Sequence, residues 1–178
     1  MGRTLDVSRN GESLRDEDPG GVRGFLEALH TIDVNAVPAP RPSWLETYRE
    51  QAGEFRRVVL PLLDGGERAT GEALLAEVET VAGFTPALTH SDLGSSHLLV
   101  RDGRLAGVID WGDARGGDPA LDYTWLLDAP FPDWDVDDEL RRAQIYHRLG
   151  PWFEVHYGVF REQPEWVRSG LAGVRSRL

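Results

Sequence analysis

The 178-residue chain contains no cysteine and no lysine; all nineteen basic residues are arginine. Without thiols there can be no disulfides, no thiolate zinc sites and no cysteine nucleophile. Long hydrophobic runs are missing too: none approaches the roughly 18–20 residues that span a bilayer. The first 21 residues are polar where a secretory signal needs an apolar centre. Positive charge is scarce, and a net charge of −11 disfavours a nucleic-acid partner, because phosphate backbones are bound by clustered Lys and Arg. A cationic small molecule is attracted instead. These absences predict a cytoplasmic protein with neither membrane nor nucleic acid as partner. No composition shift divides the chain, so one domain is expected.

What is present concentrates between residues 89 and 122, read THSDLGSSHLLVRDGRLAGVIDWGDARGGDPALD. His90, Asp92, His97, Asp110, Asp113 and Asp118 surround two short apolar runs joined by Asp102-Gly103. Asp-Gly between apolar runs predicts a hairpin, since a type I′ turn needs positive φ at both central residues. Residues 98–100 and 105–109 should therefore pair antiparallel. That pairing carries His97, at the mouth of the first strand, towards Asp110, at the exit of the second, with Asp92 just upstream. Two carboxylates and an imidazole converge at one end.

The rest reads as helices. Residues 1–17 form a polar tail, and residues 18–178 hold the fold. Asp18-Pro19 supplies a cap and a first-turn proline for a helix over 20–31, with Val22, Phe25, Leu26, Leu29 and Ile32 at helical spacing. Pro38, Pro40 and Pro42 make a stiff connector, after which Ser43 and Glu46 form a capping box. The helix it opens runs through Phe55 and Val59 to Leu63. Another is predicted over 67–82, ending near Gly83. Asp118-Pro119 starts a helix through Leu121, Tyr123 and Trp125. Residues 136–178 are helical with breaks at Gly150-Pro151 and Pro164. Trp152, Phe153, His156 and Tyr157 are expected to pack the core. The fold class is α+β, mostly helical, around one short hairpin.

To line up a hydroxyl with a nucleotide phosphate, one carboxylate must accept or orient the hydroxyl proton while other ligands hold Mg²⁺ against phosphate oxygens. Asp92 suits the first role, and Asp110 with His97 the second. Mg²⁺ prefers oxygen, so Asp110 is the natural ligand and His97 an unusual one. The imidazole could equally bind a phosphate oxygen or orient a metal-bound water.

H-S-D-L-x-x-x-H, then I-D-W thirteen residues on and G-D-P-x-x-D, resembles the H-x-D-x-x-x-x-N and I-D-W/F signatures of the aminoglycoside phosphotransferase-like small-molecule kinases. This family, of APH and choline kinase type, shares the protein kinase-like fold. The resemblance implies Asp92 as catalytic aspartate, with Asp110 and His97 at the metal-binding positions. It implies that His90 supports the catalytic loop; Asp118, as a helix cap, and Asp122, by buried hydrogen bonding at that helix start, are read as structural support beside it. His97 stands where the family pattern has asparagine, and it resembles the macrolide phosphotransferases there. The segment F-L-E-A-L-H-T-I-D, beginning at Phe25, is similar to the family's F-L-x-x-L-H. The resemblance implies Mg²⁺ with ATP or GTP, and a hydroxyl-bearing acceptor, an antibiotic among the candidates. Substrate contacts would fall in the later helices, where Asp133, Trp134 and Asp135 are candidates for a cationic acceptor. Their plainer reading is a solvated face or a helix N-terminus.

In this fold a small lobe supplies a phosphate-covering loop and a strand lysine. A chain with no lysine cannot provide that contact, so a C-terminal lobe without its nucleotide-binding lobe is expected. Little kinase activity is expected from it alone, and self-association is expected through the apolar surface left bare. Two other readings stay open. One is a non-catalytic remnant that binds a ligand or partner; the other is a metallohydrolase using His90, Asp92, His97 and Asp110.

Overall fold

Asp102 and Gly103 both adopt positive φ, 54° and 77°, and turn strand β2 (Leu98–Arg101) into β3 (Arg104–Val108). The register pairs Leu98 with Val108 and Arg101 with Arg104, with an irregularity between Leu99 and Val100. The hairpin read from the Asp-Gly signal is thus present within a residue of its expected bounds. Gly103 supplies the left-handed geometry without a Cβ penalty.

The computed structural model describes residues 19–34, 44–128 and 138–178. Its backbone divides into two compact units, Met1–Arg41 with Phe84–Ala143, and Pro42–Gly83 with Gln144–Leu178. Each unit draws on two separated stretches of chain, so no composition boundary could mark it. Below these are the first and second units. No helix among the described residues is long and apolar enough to cross a membrane.

The first unit contains helix α1 (Pro19–Leu29), the hairpin, and a second antiparallel pair, β1 (Ala87–Thr89) with β4 (Arg115–Gly117). Val22, Leu26 and Leu29 of α1 are buried, as are Leu98 and Val100 of β2. The β1–β4 pair was not expected. Its strands are three residues long and 26 or more apart in sequence, and β4 reads Arg-Gly-Gly, so neither alternation nor propensity announces it. Residues 119–128 coil as a 3₁₀ helix from Pro119 to Asp128, where the cap and proline had predicted a helix without fixing its pitch.

The second unit is helical. Helix α2 (Trp44–Val58) ends earlier than its apolar periodicity suggests, because Pro61 cannot donate to the helical ladder. The chain tightens there into a 3₁₀ turn, Leu60–Leu62. Helix α3 (Gly65–Thr80) starts two residues before the predicted position, where Asp64 accepts from the Gly66 and Glu67 amides and Glu67 answers with the Asp64 amide in a capping box. The Ser43 end of the other capping box lies outside the described residues.

Helix α4 (Asp138–Phe160) corrects the expected break at Gly150-Pro151, since it continues without interruption past Pro151. A proline leaves the carbonyl four residues back without its amide partner. Here that carbonyl, His147, receives the Arg177 Nη1 donor at 2.8 Å. Helix α5 (Pro164–Arg177) carries Gly170 against α4. A Cβ at Gly170 would stand 2.7 Å from Val155 Cγ2 and 2.8 Å from the Val155 amide nitrogen. Glycine there sets the approach of the two helices. Phe55, wholly buried, meets Trp152 at 5.8 Å and Phe153 at 4.9 Å between ring centroids, so those aromatics pack the core. Tyr157 departs from that expectation: it is exposed and stacks on Trp166 at 5.1 Å.

Candidate active site

Every site residue that the structure describes lies in the first unit. The site is built on a buried carboxylate. Asp122, fully enclosed, accepts the Ser91 amide on Oδ1 at 2.8 Å and the His90 amide on Oδ2 at 2.9 Å. The His30 Nε2 donor reaches the same Oδ2 at 3.1 Å. Ser91 sits in the left-handed region, φ 68°, which costs a non-glycine residue roughly 1–2 kcal/mol. Two amide bonds to one carboxylate hold that conformation, and the next residue, Asp92, is thereby turned out to solvent.

Three further side chains, Thr89, His90 and Asp118, brace the surroundings of the loop. Thr89 Oγ1 donates to the Arg115 carbonyl at 3.0 Å and lies 2.7 Å from Ser91 Oγ. Its single proton is spent on the carbonyl, so the serine hydroxyl donates to it. His90, also fully buried, points Nε2 at the Ile109 carbonyl, 2.9 Å away. A carbonyl only accepts, so Nε2 carries the proton and Nδ1 is the bare nitrogen, buried without a partner. This bond ties the loop to the end of the hairpin. Asp118, equally enclosed, accepts the Ala120 amide at 3.0 Å and takes both arms of Arg142, Nε on Oδ2 at 2.7 Å and Nη2 on Oδ1 at 3.0 Å. The fork-to-carboxylate geometry is the strong form of such a pair.

The exposed face of this scaffold carries the remaining candidate groups. Asp110 leaves β3 in the left-handed region, φ 66°, and its side chain is 61% exposed. His97 Nε2 stands 3.7 Å from Asp110 Oδ2. On the other side of the ring, His97 Nδ1 meets the Asp92 carbonyl at 2.6 Å. By the same logic Nδ1 bears the proton, so in the neutral ring Nε2 presents its lone pair to a carboxylate. Two acceptors facing each other repel unless a cation or a proton stands between them. His90 lies under His97, with ring centroids 5.6 Å apart and planes 23° from parallel, and Trp111 covers His90 at 4.8 Å.

Among the described residues no three His, Asp or Glu side chains form a complete metal cage. Two protein donors with the remaining positions left to water and phosphate oxygens is nevertheless the ordinary way a nucleotide-bound Mg²⁺ is held. With ligand distances of about 2.1 Å, adjacent donors of an octahedron lie about 3 Å apart, a spacing that Nε2 and Oδ2 reach by small side-chain rotations. The donors present therefore fit a divalent ion.

The structure brings His97 and Asp110 together and joins Asp92 to them through its backbone. It places His90, Asp118 and Asp122 beneath, in the interior. Asp113 ends an exposed 3₁₀ turn, Trp111–Asp113. Asp133, Trp134 and Asp135 lie outside the described residues. Sequence reasoning overlooked His30, Thr89 and Arg142. His30 stood inside a quoted motif without a role, whereas nothing local marks Arg142 as the partner of a residue 24 positions earlier.

Comparison with known proteins identifies the family and the fold. Residues 5–156 match the model of the phosphotransferase enzyme family APH. Viomycin phosphotransferase of Streptomyces vinaceus is 37% identical over 92 residues, which cover 49% of this chain and 31% of that protein. The chain thus spans about a third of the length of that curated relative. Among solved structures, the GDP and kanamycin complex of APH(2")-IIia superposes with a TM-score of 0.83 at 20% identity, covering 98% of this chain and 68% of the other. The apoenzyme of macrolide 2'-phosphotransferase MphH from Brachybacterium faecium gives 0.67 at 22% identity, with 98% and 67% covered. The fold is shared with both.

Proposed function

This chain belongs to the phosphotransferase enzyme family, and we propose that it carries the catalytic and metal-binding half of a site that moves the γ-phosphate of ATP or GTP to a hydroxyl of a small molecule. The observation that carries this reading is the pairing of an exposed Asp92, on a loop bolted from below by Asp122, with His97 and Asp110 acceptors that face each other at 3.7 Å, where a cation would bridge them.

Asp92 accepts the hydroxyl proton as the acceptor oxygen bonds to phosphorus and the bond to the bridging β–γ oxygen breaks. Asp110, with His97 beside it, holds the divalent ion, for which Mg²⁺ is the family expectation. When bound, that ion neutralises charge on the phosphate oxygens. Asp122, His90 and Asp118 position the loop and touch no reacting atom. The acceptor is an antibiotic, the class named in the relatives viomycin phosphotransferase and the kanamycin complex. A net charge of −11 favours a cationic one. A nucleotide donor is consistent with a cytoplasmic reaction, as the reading expects.

Calorimetry with ATP or GTP, in the presence and absence of Mg²⁺, tests the reading. Metal-dependent nucleotide binding is expected, lost in Asp110→Asn and kept in Asp92→Asn. Wherever transfer to a hydroxyl is measured, Asp92→Asn should lower it roughly 10²- to 10⁴-fold, the usual worth of a positioned acid or base. Binding that ignores metal, or transfer that survives Asp92→Asn, contradicts the assignment.

A further inference from the structure

The imidazole at position 97 differs in kind from an oxygen ligand. Imidazole nitrogen is a better ligand for first-row transition dications, whose affinity for a nitrogen-containing site rises from Mn²⁺ to Cu²⁺, than for Mg²⁺, which favours carboxylate, carbonyl and water. Three independent contacts prepare this ring as a ligand. Its Nδ1–H is committed to the Asp92 carbonyl at 2.6 Å, the arrangement by which metal-bound histidines have their tautomer and ring orientation fixed. Its face rests on the buried His90 ring at 5.6 Å. Its Nε2 lone pair is aimed at the Asp110 carboxylate, 3.7 Å away, with the His97 side chain 16% exposed and the carboxylate open to solvent. The buried His90 also spends a single nitrogen, but its other one is enclosed without a partner. His97 spends its single nitrogen so that the other faces an anionic oxygen at the surface.

Resting on the phosphotransfer reading for its location, we propose that His97 and Asp110 form a mixed nitrogen–oxygen site that binds a transition-metal dication such as Mn²⁺ in preference to Mg²⁺. His97 is the residue that sets the preference. The same bond to the Asp92 carbonyl then links ion occupancy to the catalytic loop, since a ring pulled towards the ion draws on the backbone that presents Asp92.

The test is a metal titration of the 178-residue chain with Mn²⁺ alone and Mg²⁺ alone, without nucleotide or acceptor, read by calorimetry. Expected is Mn²⁺ affinity at least about tenfold above that of Mg²⁺, in line with the ligand preferences of nitrogen and oxygen donors. His97→Asn, which offers an amide oxygen, should bring the two affinities within about threefold of each other while leaving Mg²⁺ nearly unchanged. Asp110→Asn should weaken both. In the unaltered chain, sub-stoichiometric Mn²⁺ should broaden the NMR signals of the His97 ring before those of the other four histidines. That measurement decides the matter even if a variant fails to fold. Equal affinities, a preference that survives His97→Asn, or broadening that begins at another histidine would each overturn the proposal. Mn²⁺ selectivity in a chain that binds no nucleotide would uphold the metal site and sink the phosphotransfer reading; nucleotide binding without Mn²⁺ selectivity would do the reverse.

Discussion

The two units are held together by different means. Among the described residues, Thr89, His90, Asp118 and Asp122 are the buried polar or charged side chains, and all four belong to the first unit. The second unit buries none and fills its interior with Tyr48, Phe55, Tyr146 and Trp152 beside aliphatic side chains. Backbone strain leans the same way: of the four non-glycine residues with positive φ among those described, Ser91, Asp102 and Asp110 are in the first unit and Glu162 in the second. Apolar packing is non-directional and tolerates many solutions, so it can build a scaffold but cannot hold a loop in a disfavoured conformation. Buried hydrogen bonds can, because breaking one strands a desolvated partner. The first unit carries polar groups in its interior, and with them an exposed Asp92 and a His97–Asp110 pair 3.7 Å apart.

The comparison breaks most sharply at Asp122. Asp122→Ala strands the His90 and Ser91 amides together, at about 1–3 kcal/mol for each buried donor left unmade, so a loss of about 3–5 kcal/mol is expected in urea unfolding. Amide exchange at residues 90–92 should quicken even under conditions where the variant stays folded. A loss below 1 kcal/mol would mean that the carboxylate does not hold the loop. Gly170→Ala is the matched test in the second unit. The new Cβ meets Val155 backbone and side chain inside 3 Å, and overpacking of this kind costs about 2–3 kcal/mol. Stability should fall while exchange at residues 90–92 relative to global unfolding stays as it was. Loop exchange that rises with Gly170→Ala as it does with Asp122→Ala would erase the distinction.

The same divide governs what could be read in advance. The hairpin was legible because Asp102-Gly103 encodes its own backbone geometry, and the convergence of His97 on Asp110 follows from the hairpin register. The second unit's helices were legible from apolar periodicity, which fixes a face but not an end: Pro61 and Asp64 moved two boundaries. Pro151 misled because its cost is local, whereas its remedy, the Arg177 guanidinium on the His147 carbonyl, comes from the far end of another helix. The bolts of the site were harder still. His30 to Asp122 spans 92 residues, and Thr89 to the Arg115 carbonyl spans 26; each residue is unremarkable in its own neighbourhood. Chemistry carried by adjacent residues is visible in a sequence, and the support that makes it effective is assembled from a distance.

The smallest expected effect lies where the second unit does use charge, at its surface. Glu67 accepts Arg175 Nε at 2.8 Å and the Asp64 amide at 3.0 Å. The Arg175 guanidinium foremost, and the amide after it, hold the Glu67 carboxyl below its ordinary value. A carboxyl whose value is lower folded than unfolded stabilises the protein above the unfolded value, and that contribution is lost as pH falls through the folded one. Glu67→Gln keeps an oxygen for the Asp64 amide but drops the ion pair. Its melting temperature should therefore fall slightly below that of the unaltered chain at neutral pH, with the gap closing on acidification and narrowing in high salt. A gap that persists unchanged in acid would assign the effect to the shape of the capping box. The charge of this pair would then contribute nothing to the second unit's stability.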